Sequence, residues 1–325
     1  MVFARALAAS ILAASLLAGG SASAQTYPVR PVTLICPFPP GGATDAISRI
    51  MQDAMAKSLG QAIVVENVGG AGGTIAAARA ARADHDGYTI LIHQVALAAG
   101  MTMYPNLGYS EKDFAPIGLI NTAASVFAGR PTLPANGLKE LVAWMKQQGH
   151  GVKFGHAGVG SYGHLAGTLV AQELGVTPTQ IPYRGAGPAT VDLLAGQVDL
   201  ESLAAVASGP LIKAGKLKPY AVIGRKRFAG LPDLPTMGEL GYKKLDLDFW
   251  HMLLAPAGTP RPIIDKLNTA LRAALADARV QKTFAEGGMD LFASEEETPE
   301  AAGALLTREI KLWGDVIRAN HITGG

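Results

Sequence analysis

The chain has 325 residues, a formal charge of +2 and one cysteine, Cys36, while charged residues make up only 17% of it. So neutral a composition gives no bulk electrostatic case for nucleic acid or a membrane surface. The lone cysteine excludes an internal disulfide, and without a cysteine pair or an HExxH motif nothing in the sequence is arranged to hold zinc.

The opening residues have the pattern of a removable export signal. Arg5 precedes an apolar stretch at 7–17, and Ser21-Ala22-Ser23-Ala24 offers small residues for cleavage between Ala24 and Gln25. The apolar stretch runs to about a dozen residues, short of the roughly 20 a spanning helix needs. The expectation is therefore a signal peptide over 1–24 and a soluble, monomeric periplasmic protein. Cys36 lies beyond the cleavage point in an apolar run, so it reads as a small buried hydrophobe rather than a lipid attachment site. Losing Arg5 with the signal lowers the charge to +1. The remaining chain, about 300 residues, suffices for two lobes.

The rest alternates short apolar runs with amphipathic stretches. Strands are predicted at 32–37, 63–68 and 88–93, with helices at 43–59 and 74–83 between them. After Pro131 and Pro134 the rhythm restarts: helix 138–148, strand 152–156, helix 161–174, strand 180–183, helix 189–195 and strand 220–223. β-branched runs without strict alternation indicate parallel sheets covered on both faces, so the fold class is α/β with two doubly wound lobes. Beyond an apolar run at 253–256, helices are predicted at 261–277 and 299–319, the latter with Ala302, Leu305, Leu306, Ile310, Trp313 and Ile317 at helical spacing. These C-terminal helices are expected to pack back on the first lobe.

Four segments share one design, a strand, a glycine-rich turn and a helix: PPGGATD at 39–45, GGAGGT at 69–74, AGVGS at 157–161 and RGAGPA at 184–189. Glycine lets the backbone turn and lets a ligand approach closely. The helix start adds unpaired N–H groups and a positive dipole end. Thr44, Thr74 and Ser161 suit N-cap positions, and Pro188 suits the first helical position. Such starts cradle anions without an arginine, and open α/β sheets bind ligands at the carboxyl ends of their strands.

Two enzymatic readings compete. Gly158-Val159-Gly160-Ser161-Tyr162-Gly163 matches G-x-G-x-x-G, but the acidic residue a dinucleotide site wants further on is replaced by Arg184. Ser161 and His164 share a helix face and suggest an exported hydrolase with Asp192 or Asp199 as orienter, yet no G-x-S-x-G elbow is present. A capping Ser161 and a packed or ligand-facing His164 is the simpler reading. His93 ends a strand at the sheet crevice, whereas His85, His150 and His321 fall in polar, loop-like contexts.

The turns above belong to a longer set of motifs: YPVRPV (27–32), VEN (65–67), DGYT (86–89), FAPIG (114–118), PYRG (182–185), GQVD (196–199), GKL (215–217), LPT (234–236) and APAGTP (255–260). In this order, over essentially the whole chain after the signal, the sequence resembles the tricarboxylate-transport-type periplasmic receptors, the Bug/TctC family. The resemblance implies a type II periplasmic-binding fold with two crossovers and a ligand closed between the lobes. It implies that the 39–45 and 158–161 turns hold one ligand carboxylate, partly through water. It also implies a partner, a three-component secondary transporter of the inner membrane or a sensor kinase.

Where the family usually continues after GQVD into an apolar residue, an aromatic and an aspartate, this chain has Leu200-Glu201-Ser202-Leu203. After the third strand it has His93-Gln94-Val95-Ala96. The expected receptor has no catalytic residues, metal or cofactor. Phe38, Gly42, Thr44 and Asp45 with Gly158, Gly160, Ser161 and His164 surround one carboxylate; His93, Gln94, Arg184, Ala189, Glu201 and Ser202 tune the rest. Asp45, if ionised, is expected to serve the helix start or a water bridge, because like charges repel. Lobe one is expected over 25–125 and 250–325, and lobe two over 126–249.

Overall fold

The computed structural model describes residues 27–104, 106–247 and 249–323. The expected signal peptide and its cleavage point lie outside the described residues.

Among the described residues eleven strands form two mixed sheets. The first holds β1 (Val32–Cys36), β2 (Ile63–Asn67), β3 (Thr89–Gln94), β4 (Phe114–Ala123), β10 (Phe249–Pro256) and β11 (Met289–Leu291), in the order β11-β4-β10-β3-β1-β2. The second holds β5 (Ser125–Gly129), β6 (Lys153–His156), β7 (Thr179–Pro182), β8 (Leu200–Ala204) and β9 (Lys218–Ile223), in the order β7-β6-β8-β5-β9. The α-helices are α1 (Ala43–Leu59), α2 (Thr74–Ala81), α3 (Val95–Met103), α4 (Leu138–Gln148) and α5 (Tyr162–Leu174). They continue with α6 (Ala186–Leu194), α7 (Ala205–Lys213), α8 (Arg261–Leu275), α9 (Ala278–Glu286) and α10 (Pro299–Ala319).

Strands β1, β2 and β3 pair in parallel, as do β6, β7 and β8, which is what the βαβ rhythm dictates. The sheets are nevertheless not wholly parallel. β10 runs antiparallel to both β3 and β4, and β5 antiparallel to both β8 and β9. Each of these inner antiparallel strands is the one laid down when the chain arrives from the other sheet: β5 follows β4 after Ala124 alone, and β10 follows the long connection from β9. The rhythm of runs and helices reports local crossovers and carries no trace of a strand entering from elsewhere.

Helix α1 buries Ile47, Met51, Ala54, Met55 and Leu59 along one stripe and ends at Gly60 in the left-handed conformation. Helix α3 was not expected: Val95 to Gly100 are all buried, so its sequence is apolar all round and shows no amphipathic period. The chain end closes on the first sheet. Helix α8 packs on α1 and β4, and α10 on α3 and β4. Glu309 of α10 is buried and accepts both indole N–H groups, from Trp250 of β10 at 2.8 Å and Trp313 at 3.1 Å.

Three capping expectations need correction. Ser161 is the N-cap of α5, its Oγ accepting from the His164 backbone N–H. Helix α1 begins instead after Gly42, placing Thr44 inside the first turn. Helix α2 begins after Gly73, and the Thr74 hydroxyl donates back to Ala71 O at 2.9 Å. Pro188 lies third in α6, which starts earlier, at Ala186; a first-turn N–H lacks an intrahelical acceptor there too, so the proline costs no bond.

Candidate ligand-binding cleft

The connections that follow β1, β3, β6, β7 and β8 at their carboxyl ends converge on one cleft between the sheets, with about 550 Å³ of open space including its mouth. Phe38, Gly42, Ala43, Thr44, Gln94 and Phe249 line it from the first sheet's side. From the second side come Ala157, Ser161, Tyr162, Gly163, Ala186 and Ala207, with the end of β8, Glu201 to Ala204. The first turns of α1 and α5 therefore face the same space. Each presents backbone N–H groups and the positive end of a helix dipole. Among the described residues no lysine, arginine or histidine lines this wall, and Glu201 is its single carboxyl.

Several nominated side chains support the wall instead of lining it. The carboxylate of Asp45 accepts from Gly41 N–H at 3.1 Å, from Arg49 at 3.0 Å and from Asn67 at 2.9 Å. Burial opposes its ionisation, but the bonds from Arg49, Asn67 and Gly41 outweigh that and hold the carboxyl below its ordinary range. Asp45 thus shapes the turn before α1. His93 is fully buried; its Nδ1 accepts from Gln94 N–H at 2.9 Å and its Nε2 lies 3.4 Å from Gly73 O, so it pins the glycine-rich turn before α2. Gln94 does line the cleft, and its Oε1 caps α3 by accepting from Ala96 N–H. Arg184 is exposed and Ala189, within α6, is buried, neither of them on the cleft wall.

His164 also sits behind the wall. Its Nδ1 accepts from Gly160 N–H at 3.2 Å, and its bond to Ser161 runs from its backbone N–H to Oγ, a cap rather than a nucleophile–base pair. Its ring lies 4.7 Å from that of His156. Burial lowers His164 to about 4, and burial together with the neighbouring His164 lowers His156 to about 3, so both imidazoles are neutral. Thr44 Oγ1 lies 3.3 Å from Nε2 of His251, a β10 residue lowered to about 3 by burial and by His93.

Tyr162 and Phe249 escaped the sequence reading. Their rings stack at 4.3 Å, and the Tyr162 hydroxyl lies 3.1 Å from Ser125 Oγ. Tyr162, next to the cap Ser161, therefore touches the first residue of both strands that arrive across the crossovers. Its adjacency to Ser161 was a signal; for Phe249 there was none, because its neighbours in space are distant in sequence.

The remaining two glycine-rich turns form the seam where the halves meet. Gly72, at φ +64°, approaches the Val159 carbonyl so closely that a Cβ would lie 2.3 Å from that oxygen. At Gly185 a Cβ would lie 2.5 Å from Pro39 Cδ. The Tyr104 hydroxyl donates to Val159 O at 2.9 Å across the same seam.

Two α/β lobes joined by two crossovers, with opposed helix starts facing an interlobe cleft, define a type II periplasmic-binding receptor. Residues 47–322 match the family model described as the tripartite tricarboxylate transporter family receptor, TctC, and the chain belongs to that family. The UPF0065 protein of the TAR-I ttuE-ttuC' intergenic region of Agrobacterium vitis is 39% identical over 310 residues, 95% of this chain and 90% of that protein. Among solved structures, MatC from Rhodopseudomonas palustris with bound malate has a TM-score of 0.86 at 36% identity, covering 90% of this chain and 100% of its own. Rpa4515 of the same organism, with adipate, has a TM-score of 0.86 at 32% identity, covering 91% and 99%. Family and fold are those of periplasmic solute-binding receptors, not of enzymes.

Proposed function

We propose that this chain is exported, loses its signal after Ala24, and captures a small carboxylate as a monomer for a three-component inner-membrane transporter. The observation that carries the carboxylate reading is the pair of helix starts, α1 after Gly42 and α5 after Ser161, facing one cleft without a basic side chain. Backbone N–H groups and dipole ends suffice to bind an anion. The malate and adipate held by the two R. palustris relatives support the same reading. In this proposal the first lobe ends before Ser125 and resumes at Phe249, one residue from each expected bound, and the second lies between, so that hinge motion at the crossovers encloses the ligand. Phe38, Gly42, Thr44 and Ser161 touch the carboxylate; Asp45, Gly158, Gly160 and His164 hold the two turns in shape.

A thermal-shift screen of the purified protein against mono-, di- and tricarboxylates and aromatic acids tests this. A ligand at 100 times its dissociation constant adds about 2.7 kcal/mol of stability, a plain rise in midpoint. If protein freed of co-purified ligand shows no shift with any acid, the reading fails. Gene neighbourhood then separates a transporter partner from a sensor kinase.

A further inference from the structure

Among the described residues Glu201 is the one carboxyl in the cleft wall, and it is only 1% exposed. Its Oε2 accepts from the Thr190 hydroxyl at 3.2 Å, and among the described residues no cation pairs with it. The next residue, Ser202, is also on the wall and 6% exposed, and its Oγ has no hydrogen-bond partner among the described residues. Buried polar groups in folded proteins are almost always satisfied, and a buried acid is normally paired. Both unmet demands lie in the cleft, beside the space the helix starts command.

A buried carboxyl oxygen and a buried hydroxyl can together accept hydrogen bonds from one donor-rich group. An ammonium supplies three donors and the charge that Glu201 lacks. An ammonium would take the place of the Glu201 proton and pair with the carboxylate left behind. A second ligand carboxylate would instead bring like charge against that ionised form, in a wall where, among the described residues, no basic side chain offsets it. We propose that Glu201 and Ser202 form a specificity subsite for a protonated amine, so that the preferred ligand is a zwitterionic aminocarboxylate rather than a dicarboxylate. This rests on the carboxylate reading of the helix starts and narrows it. Burial accounts for the unpaired state: it pushes the Glu201 carboxyl well above the usual carboxylate range.

Titration calorimetry would compare the common α-amino acids, 4-aminobutanoate and 5-aminopentanoate with malonate, succinate, glutarate and adipate. The expected result is an aminocarboxylate bound at least 10-fold more tightly than every dicarboxylate by the unmodified protein. Glu201→Gln should weaken that ligand at least 10-fold and leave the dicarboxylates unchanged or tighter; Ser202→Ala should weaken it less. Dicarboxylates binding the unmodified protein more tightly would overturn the subsite while leaving the carboxylate reading intact. Equal losses for both classes in Glu201→Gln would also overturn it, as a structural role would. Failure of every acid to bind the unmodified protein removes the carboxylate reading itself, and the subsite with it.

Discussion

Ser161 has two separable duties. Its Oγ caps α5 by accepting from His164 N–H, and the same residue lines the cleft. Ser161→Ala should cost about 1 kcal/mol of stability, the ordinary worth of a cap. Its effect on ligand affinity should exceed that, because the helix start is also the proposed anion cradle; calorimetry beside chemical denaturation separates the two. Asp45 acts one step further back. Its folded carboxyl titrates below the unfolded value, so the stability it adds is present above about pH 4 and is lost as pH falls through the lower, folded value. Asp45→Asn should therefore be less stable than the parent at pH 7, with the difference vanishing in acid; a denaturation series across pH 2–7 checks this. At this scale the sequence was informative about residue type and poor about direction. The strand–turn–helix pattern located Ser161 and Thr44, but only packing decides that His93 and His164 spend ring nitrogens on backbone groups.

Among the elements, α10 shows most directly how the chain end is held. Glu309 satisfies two buried indole N–H groups, on β10 and on α10 itself. Glu309→Leu leaves both unpaired, at about 1–3 kcal/mol each, while Trp313→Phe removes a donor along with its demand and should cost less. Melting midpoints of the two variants should fall in that order. The amphipathic stripe made α1 and α10 legible, and their predicted bounds match the helices found. Helix α3 and strands β4, β5 and β8 were not legible, because elements buried on every side lack the alternation that betrays a face.

For the whole molecule, the proposed closure requires backbone to meet backbone at the seam. In Gly72→Ala, the Cβ meets the Val159 carbonyl in addition to the roughly 1–2 kcal/mol that alanine pays at a left-handed position. Gly60→Ala serves as control: it has the same backbone conformation, φ +72°, with nothing within 4 Å of a Cβ. Gly72→Ala should lose more stability than Gly60→Ala, and only Gly72→Ala should lose ligand affinity, by 10-fold or more, and keep an open radius of gyration in saturating ligand. Small-angle scattering with calorimetry tests it. Charge buried across the molecule sets its response to pH. His93 and His164 titrate near 4, and His156 and His251 near 3, while the unfolded chain takes up those protons near 6.5. Stability should therefore fall as pH drops from about 6.5 towards 4, by up to about 1.4 kcal/mol per pH unit for each histidine kept neutral. Glu201 works in the opposite sense. Its raised carboxyl adds stability below its unfolded value that is lost as pH rises, so Glu201→Gln should gain stability relative to the parent in the neutral range. Denaturation midpoints between pH 4.5 and 8 read both slopes.

The sequence by itself determined the α/β class, the four glycine-rich turns, the bounds of α1 and α10 and the family, since these rest on local periodicity, turn chemistry and ordered motifs. Only the tertiary structure decided that the 39–45 and 157–161 helix starts face the cleft while the 69–74 turn, and the 184–189 turn apart from Ala186, meet them at the seam. It alone placed Phe249 against Tyr162, seated β5 and β10 antiparallel inside sheets begun by other strands, and, among the described residues, left Glu201 without a cation and the Ser202 hydroxyl without a partner at one wall. Local rules fix what a segment becomes; which segments meet depends on the folding of distant residues around shared cores, and a cleft between two lobes exists only after both have formed.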